Sequence, residues 1–551
     1  MTCAPRSRIP VFTLRSTLWR LLARYEALLK LPKVQLAVDA GWVRKTLSFW
    51  SDKDVVHHNA WQYLRFAFDI YSKPLNEVVA RNYNHYGRVY GSYQGTVPTL
   101  VVGDTNILRE VLVSKFKYFS DRTAGQRIGS DVWRKSILNL SGDEWKKARG
   151  IFTPALTATQ LKTITVRITA IAERMTGRVA EAAARNKPVN FSELFDHTSL
   201  DTTAALNYSV DLDSDKDKDH PLMNCLEAIF GNMAGWKLLM LFLMPSIYKA
   251  LQPDYPPKAS TDVFKAFVAH MIEERKSRNK KEEDFLQLFM DADYDWDDAN
   301  NGAVNEYEKK KMTLDEITAQ GIVFFIAGVE SVSMTTTFTA YFLALHSECQ
   351  DKAISEIDKA VSEGGLTYDA LQEMHYLEAS IKEAMRLTSP DPLIMRLCTE
   401  ETTVAGIRFT PGMNVDIPLA GMHLDPEYFP QPENFSPERF LAENKDSIRP
   451  FTYMPFGAGP RNCAGSRLAL LQAKTYLACL LRRFRLEACS ETMIPLKYKP
   501  RRLFPFPDGP VILRAVARCP STDGATAAFL TPVQADKTRT ISMASSKLTC
   551  E

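Results

Sequence analysis

Near its C-terminal end the chain reads Phe456-Gly457-Ala458-Gly459-Pro460-Arg461-Asn462-Cys463-Ala464-Gly465, the stretch that most constrains the fold. Residues 466–484 continue with apolar side chains at helical spacing, so this segment is a tight loop that delivers one cysteine to the start of a helix. Gly457 and Gly459 reach backbone conformations closed to other residues, and Pro460 stiffens the turn. The sulfur is thereby held at a fixed place, close to a flat ligand. Oriented N–H groups at the helix start favour thiolate over thiol. A thiolate held in this way is a metal ligand or a nucleophile. The nearest histidine in sequence, His423, is too remote to read as a nucleophile's base, and no Cys/His spacing suggests zinc.

An axial thiolate to haem remains, and the loop resembles the F-x-x-G-x-R-x-C-x-G signature of the cytochrome P450 family at each fixed position. A length of 551 residues would alone suggest several domains. The resemblance implies instead a mainly α cytochrome P450 fold, one large helical domain with small β-sheets. It covers residues 83–515 as the haem-thiolate catalytic domain, leaving 1–82 as an atypical N-terminal region and 516–551 as a polar tail expected to be disordered. With 45% hydrophobic and 24% charged residues the chain can build an ordinary globular core, and a net charge of +3 argues against nucleic acid as a partner. Nine scattered cysteines with no framework spacing suit a reducing compartment.

Ahead of the catalytic region, Tyr86 to Tyr93 and Val97 to Val102 are two β-prone runs around glycine turns. They predict a hairpin, with Pro98 placing the second strand at a sheet edge. Helical patterns follow, interrupted by an acidic, Asn-rich stretch over 291–311 that reads as a solvated loop.

Thr313-Leu314-Asp315-Glu316 is a capping box, opening a helical pattern that lasts to about His346. At 1.5 Å per residue that is a helix of roughly 50 Å, long enough to cross the molecule. In its middle, Gly328 costs about 1 kcal/mol against alanine, and Glu330 follows an apolar run where an unpaired carboxylate is expensive. Two unfavourable choices side by side mark a functional site. In the family this stretch is a local opening of the helix, and its acid and alcohol relay protons to the oxygen-binding side. The resemblance gives those roles to Glu330 and Ser331, the latter standing where threonine is commoner, and the opening to Gly328.

Glu383 and Arg386 share a helix face, and with Arg439 in Pro437-Glu438-Arg439-Phe440 they match the family's buried ion-pair triad, a scaffold behind the cysteine loop. Haem propionates need cationic or N–H donors. The resemblance assigns Trp145 and Arg149, four apart on one helix, with Arg461, Arg396 and Arg122, to those contacts, and Phe456 to the loop beside Cys463. The chain departs from the family where the usual proline after Arg386 has moved by one place and where Leu424 follows His423.

The implied activity is that of the microsomal, xenobiotic-metabolising members. One atom of O2 enters a lipophilic small molecule, with heme b as cofactor and electrons from NADPH through NADPH-cytochrome P450 reductase, with cytochrome b5 as a further donor. Lys146, Lys147, Arg467 and Lys474 are the candidate contacts for an acidic redox partner. No segment carries the roughly 18 uninterrupted apolar residues of a membrane span. The run 236–245 is too short to cross, and falls where family members dip into the bilayer. The resemblance implies the cytosolic face of the endoplasmic reticulum membrane. The Arg6, Arg8, Arg15, Arg20 and Arg24 series, with no acid before Glu26, points instead to a mitochondrial transit segment, an interfacial helix or a mis-joined start. Two other functions share the thiolate: a reductase-free isomerase or dehydratase acting on fatty-acid peroxides, whose members tend to lose the acid–alcohol pair, and a non-catalytic haem-binding protein.

Overall fold

The computed structural model describes residues 48–518, apart from 52, 54, 123–128, 215, 217–219, most of 233–254, 280 and 295–309. The arginine-rich start, the tail, most of the 236–245 run and the interior of the 291–311 loop therefore lie outside the described residues. The ends of that loop pair as short antiparallel strands, Asp293–Tyr294 with Lys310–Lys311.

Helices α1 (Ala60–Ser72) and α2 (Leu75–Tyr86) lead into strands β1 (Val89–Gln94) and β2 (Val97–Val102). The helical body follows as α3 (Gly142–Phe152), α4 (Ala158–Ala184), α5 (Phe191–Tyr208), α6 (Pro221–Asn232) and α7 (Lys258–Arg278). Then come α8 (Leu314–Phe325), a π-helical turn (Ile326–Glu330), α9 (Ser331–Leu345), α10 (Ser347–Gly364) and α11 (His375–Thr388). Strands β3 (Ile394–Leu397) and β4 (Asn414–Ile417) precede α12 (Ser466–Leu481) and the final pair β5 (Phe484–Glu487) and β6 (Ile512–Ala517).

The predicted hairpin forms, from Val89 opposite Val102 to Gln94 opposite Val97. The edge placement of β2 does not hold: the sheet order is β1-β2-β4-β3, so β2 is interior. Pro98 is tolerated because β4 pairs in parallel only with Thr99, Leu100 and Val101, leaving the proline beyond the ladder where no N–H is needed.

Two cores result. One is helical, built around α4, α5, α8, α9, α11 and α12, with Phe195, Phe325, Ile381, Tyr476 and Leu477 among its fully buried members. The other lies on the four-stranded sheet, where Trp50, Leu112, Phe119, Val415 and Met454 pack. Trp50 donates its indole N–H to the Ser92 carbonyl, and its ring lies within 2.5 Å of where a Cβ on Gly91 would stand, so the sequence ahead of β1 is part of this core.

The capping box forms, Thr313 Oγ1 accepting from Glu316 N–H while the Glu316 carboxylate takes the Thr313 N–H. The whole span Leu314–Leu345 is 32 residues, long and apolar enough to cross a bilayer, yet 72% of its most apolar window is buried among protein. It is the central helix of the fold.

Candidate haem-thiolate site

The cysteine loop is shaped by contacts that only its own sequence permits. Gly459 has φ of +75°, and a Cβ there would stand 2.0 Å from the Leu112 carbonyl oxygen, so the loop closes against Leu112 with no room for a side chain. Gly457, at φ of +70°, is the second left-handed turn. Cys463 N–H donates to the Phe456 carbonyl at 2.8 Å, tying the two ends of the signature together. Arg149, from α3, donates to both the carbonyl and the side-chain oxygen of Asn462, at 2.9 and 3.0 Å, and so clamps the residue next to the cysteine.

Behind the loop the ion-pair triad is present. Arg386 and Glu383 are fully buried and joined by two contacts of 2.8 Å. Arg439 reaches Glu383 at 3.3 Å, and the remaining Arg386 donors meet the carbonyls of His423 and Asn434 at 2.7 and 3.2 Å. Buried charges satisfied this fully hold the chain segments around Cys463 in one register.

Cys463 is exposed even though protein mass surrounds it, so its sulfur faces an internal void. Burial pushes its thiol up, against the pull of the Gly465 N–H and of Arg149 and Arg122. Burial here outweighs the oriented N–H groups; a bound iron would add the positive charge that favours the thiolate the sequence implies. A buried thiol is a poor nucleophile, which leaves ligation as the chemistry this cysteine suits.

Above α3 and the loop, three guanidiniums converge. Arg461 stacks over the Trp145 ring at 4.9 Å and donates to the carbonyls of Ser120 and Leu140 at 2.5 and 2.6 Å. Burial, then Arg122, then Arg461 push Arg396 down to about 9, and burial likewise lowers Arg122. The Nε atoms of Arg122 and Arg396 are buried without a hydrogen-bond partner. The carboxylates facing them are Asp391, raised by burial and drawn down by Arg122, and Asp121, 3.7 Å from Arg461. Mutually repelling guanidiniums, those of Arg122 and Arg396 with an unpartnered Nε, beside an exposed thiol form a setting for a flat ligand carrying anionic groups at its edge. Haem, with two propionates and an iron that takes a thiolate, fits these residues.

On the central helix the π-helical turn Ile326–Glu330 is the predicted opening. Gly328 lies against Thr203 of α5, whose Oγ1 would be 3.1 Å from an added Cβ. Ala327 and Ser331 are exposed in the middle of an otherwise buried helix, which places a void beside them. Ser331 Oγ donates to the Ala327 carbonyl. Burial and then the charge of Asp196 raise Glu330 to about 8.

A family model described as Cytochrome P450 matches residues 58–514. The chain is a cytochrome P450. Relatives include cytochrome P450 3A41 of Mus musculus, 34% identical over 81% of this chain and 88% of the relative. Cytochrome P450 3A2 of Rattus norvegicus is 33% identical over 83% and 90%. Lithocholate 6-beta-hydroxylase of Mesocricetus auratus is 34% identical over 80% and 87%. The match makes this chain a haem-dependent monooxygenase with the mainly α fold of that family.

Two features were not anticipated. Lys474, a candidate contact for a redox partner, is buried on α12 and bound to Glu378 at 2.8 Å, so it offers no surface charge; Lys146 and Lys147 on α3 and Arg467 are exposed. Asp196 was not singled out, although a carboxylate between the buried Phe195 and His197 was the signal that could have found it. A cleft of 530 Å³ between Asp131, Arg134, Asp315 and Gln320 lies on the surface and contains none of these groups.

Proposed function

We propose that this cytochrome P450 inserts one oxygen atom of O2 into a lipophilic small molecule, a xenobiotic or a steroid, using electrons from NADPH through NADPH-cytochrome P450 reductase, with cytochrome b5 as a second donor. Residues 83–515 form the catalytic domain. The observation that carries the reading is the pairing of an accessible, internally facing Cys463 thiol with an opened central helix that keeps both Glu330 and Ser331. The helix following each opening packs on the other, α9 on α12, and in this reading the two openings face one haem.

Haem bound there supplies the activation of O2. Arg122, Arg396 and Arg461, with Trp145, hold its propionates, while Arg149 fixes the loop through Asn462. Glu330 holds a proton at neutral pH and Ser331 passes it on once its hydroxyl turns from the Ala327 carbonyl. Gly328 keeps the turn open, and the closely packed phenylalanines of α8 keep bulk water out.

One relative's name, a hydroxylase of lithocholate, supports a steroid-sized apolar substrate; the cytosolic side of the endoplasmic reticulum membrane is the placement that the family resemblance implies. A stripe on α1 supports membrane association independently: Trp61, Leu64 and Phe68 lie at i, i+3 and i+7 and are 81%, 50% and 50% exposed, beside an exposed Val56. The experiment is reconstitution of the full chain with reductase under 18O2 and a panel of lipophilic compounds. NADPH-dependent products carrying one labelled oxygen are expected. Rapid turnover of lipid peroxides without reductase, with no NADPH-dependent product, would replace the reading with the isomerase one.

A further inference from the structure

Outside the acid–alcohol pair lies a second half-buried carboxylate that this role has not used. Asp196 is on α5, the helix packed along the π-helical turn. Its Oδ1 accepts a hydrogen bond from Ser333 Oγ. Ser333 is three residues beyond Glu330 and so shares its helix face, which brings Asp196 to the side of the central helix that carries Glu330. The Glu330 carboxylate accepts no hydrogen bond from any described residue. Thr203, one α5 position that Gly328 lies against, has a buried Oγ1 without a partner. The polar groups between α5 and the turn are thus incompletely satisfied, a costly arrangement for a merely structural contact.

From this geometry we propose that Asp196 and Glu330 act as one carboxylate pair holding a single proton, with Asp196 the outer member through which the proton delivered by Glu330 is replaced from solvent. The inference rests on the monooxygenase reading only for the use made of the proton. The pair itself is a property of the chain.

The charged groups around it are arranged by depth. Glu193 on α5 and Glu227 on α6 are exposed, as is Lys499, while Arg502 is half-buried. Burial and then Glu227 and Glu193 raise Asp196 to about 6, against the Ser333 hydrogen bond and Lys499; Glu330 is raised further, by burial and then by Asp196. Both carboxyls are raised and each opposes the other's ionisation, so the pair favours holding one proton near neutral pH. Asp196 is the member on the helix that also carries the exposed Glu193, three residues before it and on the same face, which ties it to the rim of Glu193, Glu227 and Lys499. Asp196 is a positioning residue here, acting through Glu330.

The test uses full-chain holoprotein, wild type and the variants Asp196→Asn, Asp196→Glu and Glu330→Gln, each checked for haem content and for the carbon monoxide spectrum. Difference infrared spectroscopy across pH 4–10 reads protonated carboxyl groups directly, without turnover. In wild type a buried carboxyl band should persist above pH 7 and vanish near Glu330's raised value. Asp196→Asn should move that loss down by about one pH unit or more, Asp196→Glu should restore it, and Glu330→Gln should abolish the band. Product formed per NADPH should lose its alkaline limb at the same shifted pH in Asp196→Asn. An unchanged band and unchanged pH profile in Asp196→Asn, with haem intact, would overturn the proposal. An infrared shift in wild type and variants with no NADPH-dependent product at any pH would overturn the monooxygenase reading while leaving the pair in place.

Discussion

The two faces of the cavity are built on opposite principles. On the cysteine side the loop and the scaffold behind it are satisfied: Gly459 is pressed against the Leu112 carbonyl, Cys463 N–H is bonded to Phe456, and Glu383 is held by two arginines. On the oxygen side the helix loosens into a π-turn, Thr203 Oγ1 is left without a partner, and Glu330 is raised by burial and by Asp196. One face is made to hold a ligand still, the other to change protonation. The comparison teaches where substitutions should cost stability and where they should cost only turnover.

The sharpest break of that contrast is on the cysteine side. Cys463→Ala should leave apoprotein, or haem lacking the thiolate-type band of its reduced carbon monoxide complex. Gly459→Ala should also lose haem, because its Cβ has no space against Leu112 and the positive φ is strained. A normal spectrum in Cys463→Ala would end the assignment.

Next in size is Glu383→Gln, which strands Arg386 without its bidentate partner in a fully buried place. A loss of about 3–5 kcal/mol is expected, read as a lowered denaturant midpoint and weak haem retention. Wild-type stability in this variant would show that the triad is not the scaffold.

Glu330→Gln should act in the opposite sense on stability. The folded state keeps this carboxyl protonated to about pH 8, whereas an unfolded glutamate ionises near 4.5. Between those values the folded state binds the extra proton, so wild-type stability falls as pH rises. The glutamine variant escapes that loss, and its melting temperature should exceed that of wild type at pH 8 while converging with it at pH 4. Parallel curves would mean that Glu330 is not held protonated.

The smallest effect is expected at the membrane stripe. Trp61→Ser with Phe68→Ser should weaken binding to phospholipid vesicles and leave the carbon monoxide spectrum untouched, since both side chains lie on the outer face of α1.

The asymmetry also explains what could be read from the chain. The cysteine face was legible because strain and ligation demand particular residue types at fixed spacing: Gly457, Gly459, Arg461 and Cys463 are local in sequence and leave few alternatives. The triad was legible for the same reason once Arg439 was found downstream. Glu330, Ser331 and Gly328 were legible as unfavourable choices in an apolar helix. Asp196 was harder to read: a carboxylate between Phe195 and His197 marks it locally, but its contact to the central helix is with Ser333, 137 residues away. Pro98 misled because edge placement is only one way to accommodate a missing N–H; a neighbouring strand that begins one residue later is another.

The division of labour between the two faces is tested most directly by the double variant Glu330→Ala with Ser331→Ala, measured for NADPH-driven and organic-peroxide-driven turnover of the same substrate. Haem content and the carbon monoxide spectrum should match wild type. Reductase-driven turnover should fall by roughly 10²–10⁴, the scale of a lost proton transfer, with NADPH consumption draining into hydrogen peroxide, while peroxide-driven oxidation falls far less. Equal losses in both assays, or no loss in either, would contradict the account.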